Sequence, residues 1–214
     1  MDRMDGMIRA DWDGTCCIVR LARADKANAL TGAMLGALLA AVETAQRHGA
    51  KALILTGEGK VFSAGADLEE MKAGLGTSPL WEQASRTLAQ FPGLTVAALN
   101  GTLAGGATGL ALACDLRLSV PGAQFFYPVM RLGYLPQPSD AARLKALIGP
   151  GRARMILLAG QRIGAEEALG WGLIDRIIPP ERLLPEAMAL AADALAADQS
   201  HVQRLTRMTR GTQA

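Results

Sequence analysis

Apolar positions follow two different spacings along this chain. After Thr31 they recur on one face of a helix that ends near Gly49: Met34, Leu35, Leu38, Leu39 and Val42. The runs 52–56 (ALILT) and 95–99 (TVAAL) are instead continuously apolar, which is typical of strands buried on both faces of a sheet. Nearer the N terminus, residues 8–11 and 15–21 flank Asp13-Gly14, a dipeptide that favours a hairpin turn.

The order strand, Gly-rich turn, helix occurs twice, at residues 52–73 and 95–114. Short strands are also predicted at 116–120 and 124–126. This order predicts a layered α/β fold built from repeated ββα units, although no clear sequence repeat accompanies it.

From Ser139 onward the pattern is almost wholly helical. The clearest helices lie at 165–170 and 181–197, and the segment IDRIIPP between them predicts a short strand and a stop. We therefore predict two parts, a ββα core over residues 1–140 and a helical C-terminal region over 141–214.

Composition narrows the class of protein. Hydrophobic residues make up 50% of the 214 residues and charged residues 20%, which excludes a disordered chain. The net charge is only +2 and the basic residues are scattered, so nucleic acid is not expected as a partner. The first fourteen residues lack the apolar stretch of a signal peptide, and no apolar run is long enough to cross a bilayer.

The cysteines and histidines give no metal or disulfide pattern. Cys16 and Cys17 are neighbours, Cys114 stands alone, and no CxxC spacing exists. His48 and His201 are far apart, and we expect the first at a helix end and the second at the surface. These observations predict a protein of the reducing cytoplasm with no bound metal.

The two Gly-rich turns are the main candidates for chemistry. GTLAGGATG lacks the end of a P-loop and GEGKVF lacks the third glycine of GxGxxG, which argues against nucleotide binding. Ser63 has no GxSxG context and is predicted to be a turn residue. Each turn precedes a helix, so unpaired N–H groups of both could grip one oxygen as an oxyanion hole. Two tight strand-to-helix turns without such a role explain the pattern equally well.

Four segments spread over residues 20–180 resemble the enoyl-CoA hydratase/isomerase (crotonase) superfamily, in the family's order: RADKANALTGAM, LILTGEGKVFSAGADLEEM, LNGTLAGGATGLALACDLRL and LLAGQRIGAEEALGWGLIDRIIP. The resemblance implies a crotonase-like spiral of ββα repeats with a helical C-terminal region, assembled as a homotrimer or a dimer of trimers. It also implies a lyase or isomerase of fatty acid metabolism that acts on an acyl-CoA thioester, with coenzyme A as part of the substrate and no other cofactor.

The resemblance assigns roles to residues of both turns. The backbone N–H groups of Ala66 and Gly106 would form the oxyanion hole that stabilises an enolate. Residues of the first turn and of the segment before it would line the path of the CoA nucleotide and pantetheine: Lys26, Ala27, Ala29, Ala64, Gly65, Asp67 and Leu68. Asp67 is also expected to cap the helix that follows, and Asp115 is expected to be structural.

The sequence departs from the hydratases of this family at both catalytic glutamates. Gly109 and Val129 occupy those positions, and Gln137 occupies the place of an aspartate that some isomerases and dehalogenases use. The nearest carboxylate is Asp140, a candidate acid or base for which helix capping is the preferred interpretation. Tyr127, Tyr134 and an ordered water are the other candidates.

Two functions therefore remain open. The first is an active enzyme that performs enolate chemistry on an acyl-CoA thioester with unusual acid or base groups. The second is a crotonase-fold protein that binds CoA thioesters without efficient turnover. The sequence ends at RMTRGTQA, where the resemblance implies further helices over the active site, so we expect a more open acyl pocket or one closed by other means.

Overall fold

The hairpin predicted at the start of the chain is present, and its turn lies one residue later than expected. Strands β1 (Ile8–Asp13) and β2 (Cys16–Leu21) pair in antiparallel fashion, with Asp13 opposite Cys16. The connection is therefore Gly14 and Thr15 rather than Asp13 and Gly14, and Gly14 adopts a left-handed φ of 57°. The computed structural model describes residues 6–210, so the first part of the N-terminal segment and the last part of RMTRGTQA lie outside the described residues.

Eight further strands and nine helices make up the rest of the described chain. The other strands are β3 (Ala52–Gly57), β4 (Val61–Ser63), β5 (Leu94–Leu99), β6 (Thr102–Ala104), β7 (Leu116–Ser119), β8 (Gln124–Phe126), β9 (Ile163–Gly164) and β10 (Arg176–Ile177). The helices are α1 (Gly32–Arg47), α2 (Leu68–Lys72), α3 (Leu80–Ala89), α4 (Ala107–Ala113), α5 (Val129–Leu132), α6 (Pro138–Leu157), α7 (Ala165–Trp171), α8 (Leu183–Ala196) and α9 (Gln199–Thr209). Within residues 6–210, no helix combines the length and the apolar character needed to cross a membrane.

Three consecutive ββα units form the centre of the fold. They are β3-β4-α2, β5-β6-α4 and β7-β8-α5. The first strand of each unit joins a six-stranded sheet of order β1-β2-β3-β5-β7-β10, and the second joins a four-stranded sheet of order β4-β6-β8-β9. The predicted α/β fold of ββα repeats with a helical C-terminal region is confirmed, with one more repeat than the sequence pattern indicated.

The core lies on the faces of the six-stranded sheet. Every residue of β3 is buried, because parallel strands flank it on both sides and helix α8 packs against it. Met34, Leu35, Leu38 and Val42 of α1 are fully buried and follow the helical spacing seen in the sequence. Thr31 caps the helix by accepting the Met34 N–H at 3.1 Å. Burial of each large apolar side chain contributes roughly 1.5–3 kcal/mol.

The C-terminal region is built into both sheets. Strand β9 pairs with β8, strand β10 pairs with β7, and the boundary predicted after residue 140 falls inside the first turn of α6. The apolar face of α8, which includes Leu183, Ala187 and Ala191, is buried in contact with β3, β5 and β7. Packing within one chain therefore accounts for this apolar stripe, and the predicted trimer stays a prediction.

Asp115 ties the end of the described chain to the sheet. Its carboxylate accepts hydrogen bonds from the N–H and hydroxyl of Thr95, both at 2.8 Å, and from the Arg210 guanidinium at 2.7 Å. Arg210 also donates to the carbonyls of Phe91 and Gly93. The structure thus gives Asp115 a structural role.

Candidate active site

The two Gly-rich turns of the sequence contact each other. Gly65 and Gly105 have left-handed φ values of 96° and 56°. A Cβ atom on Gly65 would lie 2.9 Å from the carbonyl oxygen of Ala104 and 3.2 Å from the Cα of Gly105. Only glycine allows this approach, so the residue type at position 65 sets how closely the turns meet.

The N–H of Ala66 points away from the strand-like segment beside it. In a parallel bridge between Leu30 and Ala66, the Leu30 N–H donates to the Gly65 carbonyl at 2.7 Å, and the Asp67 N–H donates to the Leu30 carbonyl at 2.9 Å. Because the C=O and N–H of one trans peptide group point in opposite directions, and the Gly65 carbonyl points at Leu30, the N–H of Ala66 points away from Leu30. Within residues 6–210 it meets no hydrogen-bond acceptor.

The second free N–H is that of Gly106, at the start of α4. Gly106 is the N-cap residue of this helix, so its own N–H has no partner within the helix. Gly105 uses its N–H to bond the Phe126 carbonyl, and no described residue accepts the N–H of Gly106. Ala66 and Gly106 both line one cleft, so two residues with unpaired backbone N–H groups border the same cavity.

A network of polar contacts holds the first turn in place. The Ser63 hydroxyl donates to the Asn28 carbonyl at 2.7 Å and accepts the Gly65 N–H at 3.1 Å. The Ala64 N–H donates to the carbonyl of Ala27 at 2.9 Å. Ala27 and Asn28, at φ of 50° and 53°, are the non-glycine residues of the described chain with left-handed backbone, so the loop that carries them is shaped around the turn.

We expect Ser63→Ala to lower the free energy of unfolding by about 2 kcal/mol, because it leaves a buried carbonyl and a buried N–H without their partner. Urea denaturation measures the change. Ser200→Ala is the matched control, since Ser200 is exposed on α9; about 0.5 kcal/mol or less is expected there. Equal effects of the two substitutions would show that the Ser63 hydroxyl does not stabilise the turn.

Asp67 caps the helix that leaves this turn, as the sequence predicted. Its carboxylate accepts the N–H groups of Glu69 and Glu70 at 3.0 and 3.3 Å. It also pairs with the Arg23 guanidinium at 2.8 Å. The hydrogen bond from Arg23, followed by that from the Glu70 N–H, holds the pKa of Asp67 below its ordinary value. The carboxylate therefore anchors α2 rather than acting as a proton donor.

The cleft beside the two free N–H groups has a volume of about 350 Å³ and mostly apolar walls. Its lining comprises Ala64, Ala66, Leu68, Met71, Lys72, Gly76, Trp81, Gly105, Gly106, Tyr127, Pro128, Val129, Leu132, Tyr134, Leu135 and Gln137. The Trp81 ring lies against Gly106, and its indole N–H donates to the Leu75 carbonyl at 3.0 Å. Lys72 is the one charged side chain of this lining, so the cleft suits an uncharged, apolar group.

The residues predicted to bind CoA divide into two groups. Ala64 and Leu68 line the cleft, and Leu68 is 70% exposed at its mouth. The other five lie outside the lining: Gly65 and Asp67 in the first turn itself, and Lys26, Ala27 and Ala29 on the loop that packs against it, with Lys26 exposed.

Asp140 is not a helix cap, contrary to the preferred interpretation of the sequence. Helix α6 begins at Pro138, with Gln137 as its N-cap residue, because proline is well suited to the first helical position. Asp140 therefore lies in the first turn and is only 2% exposed. Its Oδ2 accepts a hydrogen bond from the Tyr127 hydroxyl at 3.0 Å, while its Oδ1 is buried without a partner.

The surroundings of Asp140 favour its neutral form more than usual. Burial raises the pKa of this carboxyl to about 6, and Glu82 adds to the rise. The Tyr127 hydrogen bond and the charge of Arg143 act in the opposite direction. Asp140 can therefore change its protonation state near neutral pH, as a general acid or base must.

The two positions that the resemblance assigns to glutamates differ in their surroundings. Val129 lines the cleft at the start of α5. Gly109 is buried in α4, and a Cβ atom there would lie 2.1 Å from the Oδ1 of Asp140. The Asp140 carboxyl thus fills the space that a side chain at position 109 would need. Nothing in the sequence signals this contact, because the two residues are far apart along the chain.

The sequence and structure of this chain are similar to those of several enzymes, which are named as hydratases and as a dehalogenase. The sequence profile of the enoyl-CoA hydratase/isomerase family matches residues 12–213. A 4-chlorobenzoyl coenzyme A dehalogenase of Arthrobacter is 34% identical over 205 residues, covering 91% of this chain and 74% of that protein. A crotonyl-CoA hydratase of Syntrophomonas wolfei is 35% identical over 157 residues, covering 71% and 60%. The crystal structure of an enoyl-CoA hydratase from Bacillus anthracis superposes with a TM-score of 0.88 at 30% identity, covering 97% and 84%.

Proposed function

Because this chain belongs to the enoyl-CoA hydratase/isomerase family, we propose that it acts on an acyl-CoA thioester by stabilising an enolate between two backbone N–H groups. The donors are those of Ala66 and Gly106. The observation that carries the proposal is that the two residues with these unpaired N–H groups line one cleft.

These donors act on the charge that develops during the reaction. Removal of a proton from the α-carbon of a thioester moves an electron pair onto the carbonyl oxygen. Two fixed N–H groups stabilise that oxygen without any rearrangement at the moment of reaction, and a cleft with apolar walls strengthens the effect. The backbone therefore supplies the electrophilic part of the chemistry.

The apolar walls of the cleft indicate which part of the substrate it binds. The acyl chain fits the apolar part near Trp81, Leu132 and Tyr134, where an uncharged group meets no unpaired charge. We propose that the CoA portion follows the first turn, past Ala64 and Leu68, toward the loop of Lys26, whose exposed ammonium suits a phosphate.

The second function left open by the sequence, binding of CoA thioesters without efficient turnover, is favoured by one observation. Gly109 and Val129 carry no group that can move a proton. The two functions differ in one measurable property, since an enzyme that forms an enolate exchanges the α-protons of its ligand with solvent and a mere binding protein does not.

The deciding experiment incubates the protein with a panel of CoA thioesters of differing acyl length in deuterated water. We expect deuterium at the α-carbon of at least one thioester, detected by NMR or mass spectrometry. Calorimetric titration of the same panel measures affinity. Binding without exchange would favour the second function, and the absence of both would contradict the proposal as a whole.

We also expect the protein to hydrate crotonyl-CoA slowly or not at all. Hydration requires one group to activate water and another to protonate the α-carbon, and positions 109 and 129 supply neither. Loss of the enoyl absorbance over time measures the rate. Rapid hydration would show that other groups of the cleft activate water.

A further inference from the structure

Tyr127 and Asp140 form a buried pair with one member in the cleft and the other behind it. Tyr127 lines the cleft that also contains the free N–H groups of Ala66 and Gly106. Asp140 is absent from that lining, and the Tyr127 hydroxyl donates to its Oδ2 at 3.0 Å. Tyr127 therefore borders the cleft and is also hydrogen-bonded to the carboxylate behind it.

The position of this carboxylate depends on Gly109. No side chain can occupy position 109 while Asp140 keeps its place, since a Cβ atom there would approach its Oδ1 to 2.1 Å. Oδ1 has no hydrogen-bond partner within residues 6–210. A buried carboxylate oxygen without a partner costs about 1–3 kcal/mol or more, a cost that structural packing alone does not require.

We propose that Tyr127 and Asp140 act as a proton relay, in which the Tyr127 phenol exchanges a proton with the α-carbon of the substrate and the Asp140 carboxylate takes up the proton of the phenol. The inference rests on the proposed enolate chemistry. It makes Tyr127 the catalytic residue, and Asp140 the residue behind it that positions the hydroxyl and holds the proton.

The step balances without any further reactant. The α-carbon–hydrogen bond of the thioester breaks, and its proton goes to the Tyr127 oxygen as the phenolic proton passes to Oδ2 of Asp140. The electron pair of the broken bond becomes the enolate, whose oxygen is held by the N–H groups of Ala66 and Gly106. The reverse sequence returns a proton to carbon and leaves the carboxylate ionised.

The two transfers must be concerted. Burial and the neighbouring carboxylate raise the pKa of Tyr127 well above its ordinary value, so a free phenolate does not form near neutral pH. Tyr127 can therefore accept a proton only as it gives up its own to Asp140. Without the carboxylate the phenol has no base to deliver its proton to.

The relay predicts a pH dependence with a definite sign. Proton abstraction needs ionised Asp140, so exchange rises with pH around the raised pKa of about 6 and levels off above it. The titratable and charged groups that act on this carboxyl are Tyr127, Arg143 of α6 and Glu82 of α3. Glu82 accepts a hydrogen bond from Ser139 at 2.8 Å, and Arg143 bonds Ser139 and Ser85, so both are fixed near α6.

The test compares Asp140→Asn and Tyr127→Phe with the unmodified protein in the α-deuterium exchange assay. The asparagine variant retains an oxygen that can accept the Tyr127 hydrogen bond but cannot take up its proton. We expect both variants to exchange about 10²–10⁴-fold more slowly, with thioester affinity retained. The rise in rate near pH 6 should disappear in Asp140→Asn, and the double variant should be no slower than either single one.

The possible results distinguish a failure of the relay from a failure of the enolate chemistry. Exchange in the unmodified protein with an unchanged rate and pH profile in Asp140→Asn would overturn the relay and leave the proposed function standing. A loss confined to Tyr127→Phe would overturn the part assigned to Asp140. Absence of exchange from the unmodified protein with every thioester would overturn both proposals. Asp193→Asn, an exposed change on α8, controls for the loss of one negative charge.

Discussion

Gly106→Pro is expected to lower the rate of α-proton exchange about 10²–10³-fold, because it deletes one of the two proposed donors to the enolate oxygen. Proline suits the site unusually well, since Gly106 has φ −60° and its N–H takes no part in the helix. Exchange into a CoA thioester in deuterated water gives the rate, and calorimetry gives the affinity.

Gly106→Ala is the matched control. Either substitution adds a Cβ atom about 3.0 Å from the Trp81 ring, so the crowding is shared, but alanine keeps the N–H. We expect Gly106→Ala to retain a rate within about tenfold of the unmodified protein, and Gly106→Pro to fall well below it. Equal rates in the two variants would exclude this N–H from the chemistry.

Gly109→Glu is expected to lower the free energy of unfolding by about 3 kcal/mol or more. Its Cβ would meet Oδ1 of Asp140 at 2.1 Å, and its carboxylate would be buried beside a second one. Chemical denaturation measures the loss. Gly151→Glu is the control, because Gly151 is exposed in α6 with open space around the position of its Cβ, and a change of about 0.5 kcal/mol or less is expected.

Combining Gly109→Glu with Asp140→Gly should recover much of that stability, since the second change removes the obstructing carboxyl. Losses that simply add would show that the contact between the two positions is not the cause. A variant meant to carry glutamates at both 109 and 129 must therefore also remove Asp140. Position 109 cannot be restored to a hydratase-like residue on its own.

The sequence predicted most of the fold because its main signals are local. The runs 52–56 and 95–99 are apolar throughout, and both lie in strands of the large sheet. Strands β4, β6 and β9 were missed, because segments of two or three residues leave no periodic pattern. The strict order β3-β5-β7 within one sheet and β4-β6-β8 within the other also depends on pairing between distant segments, which a single sequence does not record.

Only the backbone N–H groups of the site could be predicted from the sequence. The Gly-rich turns before α2 and α4 indicate free N–H groups, and the resemblance to a known family singles out Ala66 and Gly106. Asp140 was misjudged as a cap because its helix starts at Pro138 and its carboxyl turns inward to Tyr127. That contact is tertiary, and no spacing in the sequence encodes it.

The bridge between Leu30 and Ala66 has a consequence for how such a cleft responds to mutation. The direction of the Ala66 N–H follows from hydrogen bonds made by Gly65 and Asp67 to Leu30, all of them between main-chain atoms. Every coded residue except proline carries the same N–H. Substitution by any other residue therefore leaves this donor in place, and alanine scanning does not detect its contribution. Substitutions can therefore change the side chains around the cleft, and with them its shape, while the main-chain path keeps the direction of this N–H unchanged.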